Sequence, residues 1–175
     1  MENEITELKE PSSMKSLLVL YSYHHHNTEK IAKVFAKVLD AEIKTPQQIQ
    51  PEELHNYDLI GFGSGIYAYK HHKTLLDLAD NLMQVKGKRA FIFSTSGAKM
   101  GSGMVEITSK FHDELRDKLQ SKGYIIVDEF NCKGFNTNSV LRFIGGINRG
   151  RPNAEDLKNA KEFAWKVKEK VKVKG

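Results

Sequence analysis

The sequence predicts a three-layer α/β domain built on a doubly wound, five-stranded parallel sheet of strand order 2-1-3-4-5. Three observations predict it. Short apolar runs alternate along the chain with longer segments in which apolar residues recur at helical spacing. The runs are continuous rather than polar-alternating, as strands covered on both faces must be. Five of them are present, which suits the 2-1-3-4-5 order better than the six-stranded alternative. Strands linked through helices make right-handed crossovers, and so parallel neighbours with helices on both faces.

Taken in order, SLLVLY from Ser16 is the first buried strand, and Ile31, Val34, Phe35, Val38 and Leu39 mark the inner side of the helix that follows. AEIK (41–44) is a short second strand and DLIGFG (58–63) a buried third one. TLLDLADNLM (74–83) reads as a helix stopped at Gly87, followed by the strand RAFIFS (89–94). Phe111, Leu115 and Leu119 lie on one face of a helix ending near Gly123, and YIIVDEF (124–130) is the last strand. Asn153 is placed to cap the final helix, with Glu155 and Asp156 in its first turn and Leu157, Ala160, Ala164 and Val167 facing inward. Residues 1–14 lack any period and include Pro11, Ser12 and Ser13, so they are expected to be a mobile extension to a single domain over 15–175.

The totals narrow the function. A chain of 175 residues, 39% hydrophobic and 28% charged, has material for one sizeable core. No stretch approaches the roughly 20 apolar residues of a membrane span, and the first residues do not resemble a signal peptide, so a cytoplasmic location is expected. The single cysteine, Cys132, has no intramolecular partner and reads as a small core residue. The net charge is +5, but the basic residues are spread over helical faces and gather only in the tail KVKEKVKVKG. That distribution does not trace a groove, and nucleic-acid binding is not expected.

In a doubly wound sheet a ligand sits beyond the carboxyl ends of the strands, at the point where the strand order reverses. Three loops lie there. Ser22, Tyr23, His24, His25, His26, Asn27 and Thr28 lead into a helix, whose free N–H groups and positive dipole end favour a phosphate monoester. An ordinary polar helix cap is the competing reading of these residues. Adjacent histidines point in different directions, and no second group stands at a ligand spacing, so no metal is expected. The second loop, Gly61 to Tyr69, holds Ser64, Gly65, Ile66 and Tyr67; its glycines admit a planar ring, and Tyr67 or Tyr69 is placed to stack on it. The third, Thr95, Ser96, Gly97 and Ala98 with the small residues beyond, allows backbone groups to reach the polar edge of a heterocycle.

On these residues the chain resembles the flavodoxins and short flavodoxin-like flavoproteins over roughly residues 16–170. Tyr21, Asn27, Thr28 and Glu29 match the family's phosphate loop, Ser64 to Tyr67 its ring-stacking loop, and Thr95 to Ala98 the loop that meets the pyrimidine edge. The resemblance implies FMN as cofactor, bound by those three loops. It also marks departures: His26 stands where the family has glycine, and His25 and Tyr23 stand where it has hydroxyl residues. Imidazoles aimed at the phosphate would make FMN affinity fall as pH rises.

The resemblance implies electron transfer with redox partner proteins. The basic charge favours acidic ones, ferredoxin-like or a reductase. NAD(P)H-dependent reduction of a quinone or small acceptor is the alternative, and no residue is assigned a catalytic role. A phosphate-accepting receiver domain would need acidic residues after strands one and three, where Ser22, Gly63 and Ser64 stand. Finally, residues 131–152 form a long connection with little period. Phe135, Phe143 and Ile144 are expected to pack down, with Arg142, Arg149 and Arg151 left available; the likeness of its GGIN-x-GRPN stretch to segments of the short flavodoxin-like proteins implies a cover beside the flavin, with an ordinary packed surface loop as the competing reading.

Overall fold

In a computed structural model that describes residues 14–97, 110–137 and 139–172, each apolar run forms a strand for the reason its composition gives. Strand β1 (Ser16–Tyr21) buries Leu17, Leu18, Val19 and Leu20 on alternate sides, so it needs cover on both faces and takes a central position. Around it the chain runs α1 (Asn27–Leu39), β2 (Ala41–Lys44), two short 3-10 turns, β3 (Leu59–Tyr67), β4 (Lys70–His71), α2 (Lys73–Asn81), β5 (Lys88–Ser96), α3 (Asp113–Ser121), β6 (Tyr124–Lys133), a 3-10 turn (Ser139–Ile144) and α4 (Ala154–Lys172). The order across the sheet is β2-β1-β3-β5-β6, all parallel, with the two-residue β4 antiparallel on the end of β3. Without β4, this is the expected 2-1-3-4-5 order.

Two apolar layers lie on either side. Beneath α2 and α3, Ile60, Phe62 and Ile92 meet Leu75, Leu76, Leu115 and Leu119. Beneath α1 and α4, Phe91 and Phe93 meet Phe35, whose ring also packs edge-on against Phe130. Room for two neighbouring phenylalanines comes from the next strand: a Cβ on Gly61 would lie 2.4 Å from the Phe91 ring, and one on Gly63 would lie 2.3 Å from the Phe93 ring. These two glycines therefore serve core packing. Gly65 alone of the three belongs to the ligand end of the sheet.

Several boundaries differ from the sequence expectation. Strand β3 continues through Ser64–Tyr67 instead of ending at Gly63, because β4 folds back and pairs Ile66 with His71. Ala68 and Tyr69 make the turn with positive φ. Helix α2 ends at Asn81, six residues before Gly87, and the chain reaches β5 through a bend at Lys86 and Gly87, where Gly87 has a φ of 71°. Met14, placed in the expected extension, packs on the α1/α4 core, while residues 1–13 of that extension lie outside the described residues. Asn153 does cap α4, accepting from the Asp156 N–H at 3.1 Å while Asp156 accepts from the Asn153 N–H at 2.8 Å. Cys132 is buried, which pushes its thiol up to about 12 and leaves it protonated. No described helix is long and apolar enough to cross a membrane.

The connection after β6 departs most. Phe143 and Ile144 are 76% and 73% exposed rather than packed down, and Arg151 is held by Asp156 at 2.5 Å. Phe135 alone of the three apolar residues turns inward, because Asn136 bridges back to Ile147 and fixes the start of the segment.

The paired glycine and phenylalanine positions give a direct test. Gly63→Ala should lower stability in urea by about 1–3 kcal/mol through overpacking. Phe93→Leu in the same chain should recover part of that loss, whereas simple additivity would show that the two positions do not share the space.

Candidate functional site

At the carboxyl end of the sheet, the ends of β1, β3, β5 and β6 surround an open cleft. The first wall is the loop from Ser22 to the start of α1. His25 and His26 both hold left-handed backbone, with φ of 56° and 51°, and so swing the chain into the helix. Such a conformation costs a non-glycine residue about 1–2 kcal/mol. Side-chain bonds hold the turn: His26 Nδ1 lies 2.8 Å from Glu29, and His25 Nε2 lies 2.7 Å from the Thr137 hydroxyl with its ring against Phe135. Burial, then the neighbouring His24 and Lys30, lower the pKa of His25 from its usual value.

The three histidines therefore diverge. Only His24 lines the cleft; His25 and His26 are turned to Thr137 and Glu29. Inside the loop, Thr28 shares a 2.8 Å hydrogen bond with Thr95, and the Asn27 amide donates to the Phe135 carbonyl at 2.7 Å. These two bonds tie the first loop to the ends of β5 and β6.

Opposite stand Gly65, Ile66 and Tyr67 of β3. The Tyr67 ring folds over Gly65, where a Cβ would lie 3.0 Å from it, and stacks on Tyr23 with centroids 5.9 Å apart. Burial, then Tyr23 and Tyr21, push the Tyr67 phenol up to about 12, so it remains neutral. Behind this pair, Tyr21 stacks on His72 at 4.0 Å. Tyr69 sits on the outer hairpin, 74% exposed, and does not line the cleft.

The floor is Thr95, Ser96 and Gly97, with Gly134, Phe135 and Asn136 closing the side. Of the expected site residues, Ser22, His24, Asn27, Thr28, Gly65, Ile66, Tyr67, Thr95, Ser96 and Gly97 line the cleft. Tyr23 lies at its rim, and Ala98 lies outside the described residues. Sequence reasoning did not single out Gly134 and Asn136 individually. Their close fit is tertiary: a Cβ on Gly134 would meet Asn27 at 2.9 Å, and one on Gly97 would meet Asn136 at 2.3 Å.

Three buried polar atoms at this cleft, His24 Nε2, Asn27 Oδ1 and Ser96 Oγ, have no hydrogen-bond partner among the described residues. Buried polar groups are nearly always paired, so three around one cleft leave hydrogen-bonding capacity there that a polar ligand could meet. They comprise an acceptor, a hydroxyl that both donates and accepts, and an imidazole nitrogen.

Ser64 belongs elsewhere. It faces the α2/α3 side, in register with Tyr21 and Ser94, and Ser94 is in register with Asn131. There it bonds His71 Nδ1 at 2.8 Å and accepts from the His72 N–H at 3.0 Å. Beside it runs a second chain of bonds. His112 Nδ1 lies 2.9 Å from Glu129 and its Nε2 lies 2.7 Å from the Ser94 hydroxyl, while Asn131 donates to Ser94 at 2.7 Å. Arg116 grips Glu129 with two bonds, at 2.5 and 2.9 Å. These spacings are those of an acid–base–nucleophile set, yet Ser94 is fully buried within β5, so the network fixes the strand end instead. Burial pushes the His71 imidazole well below its usual value, aided by His112 and opposed by Glu129.

The chain is similar to other proteins in sequence and in fold. A family model described as "Flavodoxin domain" matches residues 18–131. An uncharacterised protein of Methanocaldococcus jannaschii is 49% identical over 154 residues, covering 88% of this chain and 98% of its own. Among solved structures, oxidised Flavodoxin 2 from Bacillus cereus aligns with a TM-score of 0.65 at 19% identity, over 89% of this chain and 99% of its own. A flavodoxin from the domain Archaea aligns at 0.62 and 18%, over 91% and 99%.

The Glu129 network predicts an acid-limb signature. Burial opposes the charge of Glu129, but the Arg116 guanidinium and then His112 outweigh it and hold the carboxyl down to about 2 from its ordinary 4.5. A depressed carboxyl contributes stability that is complete above pH 4.5 and fades as pH falls through about 2. Glu129→Gln should therefore be less stable by roughly 3 kcal/mol near neutrality, at about 1.36 kcal/mol per pKa unit. Urea melts should show that gap narrowing between pH 4.5 and 2; a constant gap would count against this account.

Proposed function

The chain belongs to the flavodoxin domain family, and from that premise we propose that it binds FMN in the cleft and passes electrons between proteins. The observation that carries this reading is the trio of unpartnered buried atoms. FMN brings phosphate oxygens that accept and ribityl hydroxyls that both donate and accept. His24 Nε2 and Ser96 Oγ suit the former and Asn27 Oδ1 the latter. The start of α1, with the free N–H groups of its first turn, is the place for the phosphate. Gly65 and Gly97 leave the backbone bare where a ring edge must come close, and Tyr67 presents an aromatic face. The residues present thus fit the group.

Bound FMN would supply the redox chemistry, and the protein's share is positioning and electrostatics. Tyr67, neutral across the physiological range, stacks without adding charge. His24 is the imidazole of the triplet that would touch the phosphate, since His25 and His26 are turned to Thr137 and Glu29. With a net charge of +5, the chain favours an acidic redox partner, such as a ferredoxin-like protein or a reductase, through electrostatic steering.

Purified protein should be yellow, or take up added FMN to become so, and the released chromophore should have the mass of FMN. His24→Ala and Ser96→Ala should each weaken FMN binding by up to roughly tenfold, the equivalent of one hydrogen bond of about 1.4 kcal/mol. Folded protein that refuses FMN under native conditions ends the proposal. Anaerobic NADH or NADPH separates carrier from reductase: a carrier should bleach only when a separate reductase is added, and rapid bleaching without one would support direct reduction of a quinone or small acceptor.

His26→Gly offers a further test. Glycine adopts the left-handed turn without strain, so the variant should bind FMN at least as tightly as the parent. Calorimetric titration showing a large loss would instead make the His26–Glu29 bond essential to the loop.

A further inference from the structure

Behind the cleft wall, His72 touches all three tyrosines of the group to which Tyr67 belongs. Its imidazole lies flat on the Tyr21 ring, with centroids 4.0 Å apart and planes 16° off parallel. It meets Tyr67 edge-on at 5.3 Å and 80°, and Tyr23 edge-on at 6.0 Å and 72°. Tyr21 closes β1 and Tyr67 closes β3, so one ring, on the residue that caps α2, reaches the ends of two neighbouring strands. His72 does not itself line the cleft.

Bonds on every side fix His72. Its backbone N–H donates at 3.0 Å to the hydroxyl of Ser64, a fully buried residue of β3. Its carbonyl accepts from the N–H groups of Leu75 and Leu76 at 3.0 and 3.2 Å, and both leucines sit in the core beneath α2. The ring is held as well, because Nδ1 accepts from the Thr74 N–H at 3.2 Å. An accepting Nδ1 carries no proton, so the ring is neutral with its hydrogen on Nε2. Burial, opposed by the charge of Asp77, lowers the pKa from its usual value and favours this form. Tyr67 has no such anchorage in the backbone: it stands one residue before the positive-φ turn at Ala68 and Tyr69. An edge-to-face contact with a fixed ring therefore restricts which way the Tyr67 face points.

We propose that His72 is a positioning residue: held by Ser64 and the first turn of α2, its ring sets the direction of the Tyr67 face, and so of the stacking surface offered to the planar ring of the cofactor. That task toward the ligand rests on the FMN reading, whereas the placing of Tyr67 is measurable in the chain alone.

Two substitutions separate the ring of His72 from its cap. His72→Asn keeps an oxygen that accepts from the Thr74 N–H and removes the ring, and His72→Phe keeps a flat ring and removes the acceptor. In the chain without FMN, NMR of ring-labelled tyrosines, with Tyr67 identified through Tyr67→Leu, should show the Tyr67 signal moving toward that of a free tyrosine in His72→Asn. In His72→Phe it should stay near its parent position. Calorimetric titration should show FMN affinity falling roughly three- to tenfold in His72→Asn, the size of one aromatic pair, and staying within about twofold in His72→Phe. Tyr67→Leu should also weaken binding, and adding His72→Asn to it should cost nothing further, because His72 acts through Tyr67. Circular dichroism melts should establish that each variant remains folded. An unchanged Tyr67 signal in His72→Asn, equal losses in the Asn and Phe variants, or additive losses in the double variant would overturn the proposal. A folded chain that takes up no FMN would instead end the cofactor reading, with the Tyr67 signals alone deciding whether His72 places that ring.

Discussion

The seating of Phe91 and Phe93 in the space left by Gly61 and Gly63 is the contact on which the rest of the molecule depends. It lets β3 and β5 present a deep aromatic surface on one face, and Phe35 of α1 sits into that surface edge-on. Because α1 is held there, its first turn arrives at the carboxyl end of the sheet beside Thr95. The Thr28–Thr95 hydroxyl pair then joins loop and strand at one point. A core-packing constraint in the middle of two strands thus decides where the head of a helix meets the cleft of this flavodoxin-family domain.

The same strands change character toward their ends. Their central residues are apolar on both faces, but from Ser64 and Ser94 onward hydroxyl and amide side chains take over. The alternation of a strand divides these between two tasks. Ser64, Ser94 and Asn131 turn to the α2/α3 face and join the network with His71, His112 and Glu129. Thr95 turns the other way, toward α1, and helps form the cleft. The network is internally satisfied except at His71 Nε2 and Asn131 Oδ1, whereas the cleft leaves three polar atoms open. Access distinguishes the two clusters, because Ser94 is fully buried within β5 whereas His24, Asn27 and Ser96 line an open cleft. It also explains why a serine–histidine–glutamate arrangement with good hydrogen-bond distances is structural here: solvent does not reach Ser94.

Much of the fold was legible in the sequence, because strand and helix periods and the depth of burial are local properties of composition. The five parallel strands, their order, the cap at Asn153 and the inward face of α4 followed from that reading, as did most of the residues that line the cleft. What misled were glycines and histidines. Glycine's freedom is the same whether a ring, a turn or a neighbouring side chain needs it, so Gly61 and Gly63 looked like part of a ligand loop until Phe91 and Phe93 were seen beside them. The end of β3 was likewise hidden, because its last residues are strand only by virtue of the small β4 that folds back on them.

The sequence by itself determined the alternation of elements, the doubly wound sheet and the three loops that had to converge at its carboxyl edge, since these depend on spacing along the chain. Only the tertiary structure decided which member of each loop faces the cleft. His24 does so while His25 and His26 turn to Thr137 and Glu29, and Tyr67 does so while Tyr69 turns out. Tertiary structure also added the wall of Gly134, Phe135 and Asn136, drawn in by the Asn27 amide from 108 residues away. The physical reason is that side-chain direction at a loop is set by partners distant in sequence, and no local pattern records them.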